Sequence, residues 1–428
     1  RRILACAGSS VVEIENFIYA CFVQINYLLG FLAISAVGAI SLILLATIVL
    51  SPLTGCLVTA GFLCYAFVGY PAAVFIFHDR ALRESTGPQQ MVTIVVPAHN
   101  EQELIAQRVA NCLNQSYPEE LLEVVVVDDA STDGTLARLA QLSCSQLTIV
   151  KREERGGKSL AIADGIHAAQ GNIIVLTDAN VFFDPTAIAT LVSTLSVGRF
   201  SCVTGNVRLV SPTFDSLRAE STYQGVEGKL LYLESQMNTA VCVDGGMYAI
   251  YRDCISIPPS DTILDDFVIS VALINQGGKI GFAPAATAKE SSSGGVRDEF
   301  RRRVRLAEGS MQTLKRGIFP HPRHCVVFWQ FISHKLMRWM TPFLVILLVA
   351  SLAILARDDI IARLCLGLLV TTMFTAMLGL LVPQLRRFKF IGMASYALLV
   401  QVAMVLGTVR GLVGHANPKW QHAERFPV

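Results

Sequence analysis

Acidic and basic side chains in the middle of this 428-residue chain fall into short groups whose spacing suits chemistry on a phosphorylated substrate. LDDF (264–267) sets two carboxylates side by side. Repulsion between neighbours raises one pKa, which suits a general base; an acidic pair opening a helix is the plainer alternative. In TDAN (177–180), Asp178 and Asn180 stand two apart. Two oxygen donors at that spacing can hold Mg2+ or Mn2+ against a diphosphate, or can belong to a simple loop. Asp128 and Asp129 open DDASTDGT. A carboxylate at a strand end accepts hydrogen bonds from a nucleobase or ribose, and Ser131 to Gly134 supply turn and capping chemistry. RGGKS (155–159) is no Walker A loop, because position 152 is Arg152 instead of glycine. Gly156 and Gly157 turn the backbone before a helix and leave Lys158 facing an anionic ligand. FRRRVRL (300–306) puts Arg302 and Arg305 on one helix face, where they can grip a diphosphate or lie against lipid headgroups.

These groups need elements to position them. Four β-rich runs, 91–97, 122–129, 147–151 and 172–178, alternate with helical patterns at Glu101–Gln115, Thr135–Leu142 and Lys158–Gln170. Alternation of this kind predicts an α/β fold with a mostly parallel sheet covered on both faces, and continuous runs such as VVVV fit strands buried on both sides. Ligands then bind at the carboxyl ends of the strands. Pro97 to Glu101, Asp128–Asp129 and Asp178 all fall there.

The rest of the chain is apolar. Hydrophobic residues make up 53%, charged residues 16%, and mean hydropathy is +0.51. Five runs have spanning length: Leu28–Leu50, Cys56–Phe77, Met340–Ala356, Ile360–Val382 and Ile391–Val413. Ser51-Pro52 divides the first two, and Pro71 is a kink candidate. Arg80 and Arg83, Lys335 and Arg338, and Arg386, Arg387 and Lys389 share one side if the middle domain is cytosolic. Arg410, Lys419 and Arg425 then fall on the wrong side, so one run is expected to be re-entrant. The expected organisation is an N-terminal segment (1–27), two spans (28–77), the α/β domain (91–325), an amphipathic interfacial helix (326–339) or a plain extension of the third span there, about three spans (340–413) and a tail (414–428). Eleven scattered cysteines without a CxxC pair read as small buried hydrophobes in a reducing compartment. A net charge of +2 gives no signature of nucleic-acid binding. The absence of charges from the middle of the runs argues against a transport path. The Arg-Arg start is compatible with a fragment or a trimmed product.

In order, the motifs resemble those of the family-2 inverting glycosyltransferases, particularly the membrane-bound cellulose, hyaluronan and poly-N-acetylglucosamine synthase group. The resemblance covers roughly residues 91–340 and the flanking spans. It implies a Rossmann-like GT-A domain, a UDP-sugar or other nucleoside-diphosphate-sugar donor, a glycan or lipid-linked acceptor, Mg2+ or Mn2+, and residence in the plasma (inner) membrane with the domain cytosolic. Membrane lipids are partners, and an accessory membrane subunit is one more that the group admits. VPAHNE and DDASTDGT resemble the uridine-nucleotide pocket, which implies Pro97, Asn100, Glu101 and Asp129 near the donor, together with Lys158, Asp178 and Arg305. TDAN takes the place of the Asp-x-Asp metal motif, with Asn180 for the second Asp. VDGGMYAIYR (243–252) resembles the acceptor-side segment, which implies Gly245, Gly246, Asp265, Arg302 and Leu306 on that side. LDDF resembles the Thr-Glu-Asp motif and makes Asp266 the expected base. RRVRL (302–306) stands where processive members carry Gln-x-x-Arg-Trp. Arg305 matches the Arg, but Leu306 replaces the Trp that would stack on a sugar. Transfer to a lipid acceptor is therefore the alternative to polymer synthesis.

Overall fold

Valine and isoleucine runs lie side by side in the computed structural model, which describes residues 51–78, 89–142, 144–210, 217–291 and 295–414. The expected first span, residues 1–27, Arg80, Arg83, Lys419 and Arg425 lie outside the described residues. Helix α1 (Pro52–Phe77) comes first. Strands β1 (Val92–Ala98), β2 (Leu122–Asp128), β3 (Leu147–Lys151) and β4 (Ile173–Thr177) alternate with α2 (Ile105–Leu113), α3 (Thr135–Ala140) and α4 (Lys158–Ala168). They form the parallel half of the sheet, in the order β3-β2-β1-β4. The side-chain period of two sends Ile94 and Val96 to one core and Val95 to the other, so both faces are covered. Close contact is needed on the second face: a Cβ on Gly165 of α4 would lie 2.3 Å from Val95 Cγ1.

The second half was not visible as strands in the sequence. β5 (Val181–Phe183), α5 (Ala187–Ser196), β6 (Cys202–Val210), α6 (Leu217–Met237), β7 (Met247–Tyr251), α7 (Asp265–Asn275) and β8 (Ile280–Ser291) complete an eight-stranded sheet, β3-β2-β1-β4-β7-β6-β8-β5. β7 pairs antiparallel with both β4 and β6, and β5 does so with β8. The sheet is mixed and mostly parallel.

α8 (Val296–Lys315) leads into α9 (Cys325–Leu355), α10 (Ile360–Leu381) and α11 (Lys389–Val413). With α1, these last three make four helices long and apolar enough to cross a membrane among the described residues, one before the α/β domain and three after it. Their exposed surface is apolar, with Ile76 at 71% and Leu368 at 72% exposure. A π-helical turn at Tyr65–Gly69 adjusts α1 just ahead of Pro71. Residues 326–339 are not a separate interfacial helix. They run straight into the third expected span, and Val327, Phe331 and His334 are buried against the rest of the protein. The cysteines divide: Cys112, Cys202 and Cys242 are buried, whereas Cys64 and Cys365 are exposed on the apolar helices, so they are not core residues.

A buried ionic cluster joins these helices to the domain. On α6, Glu227 contacts His334 Nε2 (2.8 Å), Lys335 Nζ (2.7 Å) and Arg338 Nη1 (2.5 Å). Glu234 contacts His334 Nδ1 at 2.6 Å and accepts a hydrogen bond from the Tyr70 hydroxyl on α1.

Candidate active site

The β1–β4 ladder stops at Val95↔Leu176, while β1–β2 continues to Ala98↔Asp128. Pro97 stands just past that stop and has no N–H to donate. β1 and β4 part there, which leaves a crevice at their carboxyl ends, where parallel sheets bind ligands.

Two loops line the crevice, each with a left-handed residue: Asn100 (φ 58°) and Ala130 (φ 53°). For alanine that conformation costs about 1–2 kcal/mol, so the surroundings must hold it. The Asn100 N–H donates to Ser131 Oγ (2.9 Å), and Asn100 Oδ1 accepts from the Thr132 N–H (2.8 Å). The Glu101 N–H donates to Thr135 Oγ1 at 2.8 Å, and His99 Nδ1 lies 2.8 Å from the Asp129 carbonyl oxygen. Asn100 and Glu101 thus build the loops that frame the crevice.

Asp129 is fully buried and accepts from the Gly156 N–H (2.8 Å) and the Gly157 N–H (2.9 Å). Its carboxylate is engaged by protein donors, which makes it a support for the RGGKS turn. Gly157 has φ 94°, a conformation that favours glycine, and the next residue opens α4. Asp128 is the acid left open. It is buried, and its Oδ1 has no hydrogen-bond partner among the described residues.

The turn delivers Lys158 to the centre of the site. Its Nζ lies 2.7 Å from Asp178 Oδ1 at the end of β4 and 3.6 Å from Asp265 Oδ2 at the start of α7. Burial alone would lower the Lys158 pKa, but Asp178, Asp265 and Asp266 outweigh it and hold the ammonium charged. Asp266 is raised to about 6 by burial and then by the neighbouring Asp265 charge, with Lys158 opposing. Gly245 faces it: a Cβ there would lie 2.8 Å from Asp266 Oδ2. Gly246 donates its N–H to Asp244 Oδ1 at 3.0 Å and accepts from Thr177 Oγ1 at 2.8 Å. Burial and then Glu290, Asp266 and Asp178 raise Asp244 to about 7.

Asn180 is buried, and its amide Nδ2 is 3.4 Å from Glu290 Oε1. On α8, Arg302 is held by Glu299 (2.8 Å) and Arg303 by the same carboxylate (2.6 Å). Arg302, one of the expected Arg302–Arg305 pair, thus has a carboxylate partner on its own helix. Arg305 and Leu306 are half-buried on the same helix.

Gln312 of α8 is the contributor that the sequence did not single out. Its Oε1 accepts from the Ile263 N–H at 3.1 Å, and its Nε2 donates to the Asp261 carbonyl at 2.8 Å. A Cβ on Gly309 would lie 2.6 Å from Leu264 Cγ, so α8 presses directly on the loop that leads into Asp266 and α7. A lone glutamine in an amphipathic helix carries no signal of this; only the i, i+3 spacing of Gly309 and Gln312 hinted at a shared face. Gln312→Ala is expected to lower turnover about tenfold, about 1.4 kcal/mol in the barrier, without weakening nucleotide binding. Steady-state kinetics beside a nucleotide titration checks this.

Residues 93–253 match the family model described as Glycosyl transferase family 2. The central domain is a family 2 glycosyltransferase domain. Among curated relatives of the chain, the probable glycosyltransferase YdaM of Bacillus subtilis is 26% identical over 53% of this chain and 57% of its own length. The poly-β-1,6-N-acetyl-D-glucosamine synthase of Staphylococcus aureus is 23% identical over 61% and 68%. The chain spans little more than half the length of the first of these. Among solved structures, the mannosyltransferase PcManGT of Pyrobaculum calidifontis, in complex with GDP-Man and Mn2+, superposes with a TM-score of 0.63 at 23% identity, over 83% of this chain and 98% of its own. That likeness supports the GT-A fold of the glycosyltransferase domain.

Proposed function

We propose that the chain is a membrane-embedded inverting glycosyltransferase, with its catalytic domain on the cytosolic face of the plasma (inner) membrane. It moves a sugar from a nucleoside diphosphate, UDP in the first instance, to a growing polysaccharide. The observation that carries this reading is the Lys158 bridge, which ties the Asp178 end of the donor crevice to the Asp265–Asp266 pair. A donor pocket and a base on opposite sides of one cation suit displacement at the atom between them. Asp266 takes the proton of the acceptor hydroxyl, and the oxygen attacks the anomeric carbon from the face opposite the diphosphate. The bond from that carbon to the diphosphate oxygen breaks with inversion, and Lys158 and Arg305 offset the charge on the departing nucleoside diphosphate. Asp128 Oδ1, buried and open, suits a base N–H.

Asp178 and the Asn180 amide are hard oxygen donors of the kind that fit Mg2+ or Mn2+. When bound, such an ion neutralises charge on the leaving diphosphate. Among the described residues no three His, Cys, Asp or Glu side chains form a metal-binding group, so phosphate oxygens and water must complete the shell. Mn2+ is therefore expected to bind about tenfold or more tightly once UDP is present, and Asp178→Ala is expected to abolish that coupling. Electron paramagnetic resonance of Mn2+ with and without UDP checks both.

A second reading, transfer to a lipid acceptor, is favoured by Leu306, which leaves no aromatic platform for an acceptor sugar at that position. Incubating purified protein in lipid with UDP- and GDP-sugars separates the two. One accepted donor and a long product support polymer synthesis, whereas a short lipid-extractable product supports the second reading. No nucleotide release from any donor by folded protein, with either kind of acceptor supplied, would sink both.

A further inference from the structure

Helix α11 has the length and hydropathy of a membrane span, but it is attached along its side to a helix that cannot enter a membrane. Arg303 of α8 donates to the Tyr396 hydroxyl at 2.5 Å. A Cβ on Gly407 would lie 2.3 Å from the Val304 carbonyl oxygen, and one on Gly411 would lie 2.7 Å from Met311 Cβ. Arg410 lies 3.7 Å from Glu308, and Lys315 Nζ donates to the Gly411 carbonyl at 2.9 Å. The contacts advance in the same order along both chains, closest where Val304–Met311 meets Gly407–Gly411 and carried to either end by the long side chains of Arg303, Tyr396 and Lys315, so the helices run in the same direction. At about 1.5 Å per residue the shared length is about 20 Å. Two glycines at the seam let the backbones approach closely.

α8 is part of the glycosyltransferase domain, since Gln312 grips the loop before Asp266. Nine of its twenty residues are Asp, Glu, Lys or Arg, and charges at that density stay out of hydrocarbon. A helix fastened along α8 for this length shares its level. Yet the outward side of α11 is apolar: Phe390, Met393, Val402, Val409 and Val413 are all exposed.

We infer that α11 does not cross the membrane. It lies along the bilayer surface on the side of the glycosyltransferase domain, with its α8-facing seam inward and its apolar face among lipid chains near the headgroups. α9 and α10 then form a crossing hairpin, and the chain's tail returns to the domain's side. The basic residues agree. With α11 on the surface, Arg386, Arg387, Lys389, Arg410, Lys419 and Arg425 all lie on one side, against Arg357 and Arg363 at the far end of the hairpin. A crossing α11 would instead leave three on the near side and five on the far side, against the usual bias.

The inference rests on the membrane placement of α9 and α10 and is independent of sugar transfer. Its test is topological. Green fluorescent protein and alkaline phosphatase are fused in turn after Val428 and at Asp358. The tail fusions are expected to be fluorescent and phosphatase-negative, and the Asp358 fusions the reverse. Val402→Trp adds a depth reading, taken as the difference from the unaltered chain in vesicles with shallow or deep spin-labelled lipids. Stronger quenching by the shallow label is expected. A phosphatase-active tail, or stronger quenching by the deep label, overturns the surface placement. Matching behaviour at the tail and Asp358 overturns the hairpin beneath it.

Discussion

Asp266→Asn is expected to lower sugar transfer about 10³-fold, within the range for loss of a positioned base, while leaving nucleotide affinity within about a factor of two. The substitution keeps the shape of the side chain and its place against Gly245, and it removes only the ability to take a proton. Because burial and Asp265 hold the Asp266 carboxyl at about 6, the direction of the pH effect follows. The active form is the carboxylate, so kcat/KM falls as pH drops through about 6 and levels off above it. The variant's residual activity should lack that acid limb. Stopped turnover assays from pH 5 to 8, beside calorimetry with UDP, measure both quantities. Near-normal turnover at pH 8 would remove Asp266 from the mechanism. A parallel loss of nucleotide binding would mean that the α7 terminus had been disturbed instead.

The parallel half of the glycosyltransferase domain was legible because its signals are local. Continuous, β-branched valine and isoleucine runs of this length fit strands buried on two faces, and the polar residues that line the crevice follow them. Asp178 and Lys158 were legible for the same reason, since a strand end and a glycine turn both show in a few residues. The antiparallel half was not. β7 lies within VDGGMYAIYR, where the glycines draw the eye to a ligand and the strand is short. For Asp129, sequence shows that a carboxylate is present, not that the Gly156 and Gly157 N–H groups hold it. The Arg302 spacing to Arg305 likewise says nothing of the Glu299 carboxylate that Arg302 meets. The long apolar helices were found by hydropathy, which cannot see what packs on their sides, and α11 is the case where that matters.

Glu227→Ala is expected to destabilise the protein by about 3–5 kcal/mol, the usual cost of leaving buried charges without their partner. One carboxylate serves His334, Lys335 and Arg338, three side chains in about the third and fourth turns of α9. Its loss takes from Lys335 and Arg338 the carboxylate that both contact, in a site where each side chain is less than a fifth exposed. Burial opposes the charge on Glu227, but His334, Lys335 and Arg338 hold its carboxyl well below the ordinary range. A depressed folded-state pKa contributes stability above the unfolded value of about 4.3 and loses it as pH falls through the folded value. The gap in Tm between variant and parent should therefore stay constant from pH 5 to 8 and narrow in stronger acid. Glu227→Gln keeps hydrogen-bonding capacity without charge and should fall between them. A gap of less than about 1 kcal/mol would place this cluster with surface ion pairs. Glu227 and Glu234 are seven residues apart, so they lie on one face of α6, about two turns from each other. Glu234 reaches Tyr70 on α1 as well as His334 on α9. An apolar seam would hold α6 against both helices yet permit sliding by a turn. Two carboxylates matched to fixed partners on two helices permit one register, and that register sets where the glycosyltransferase domain sits along the apolar helices.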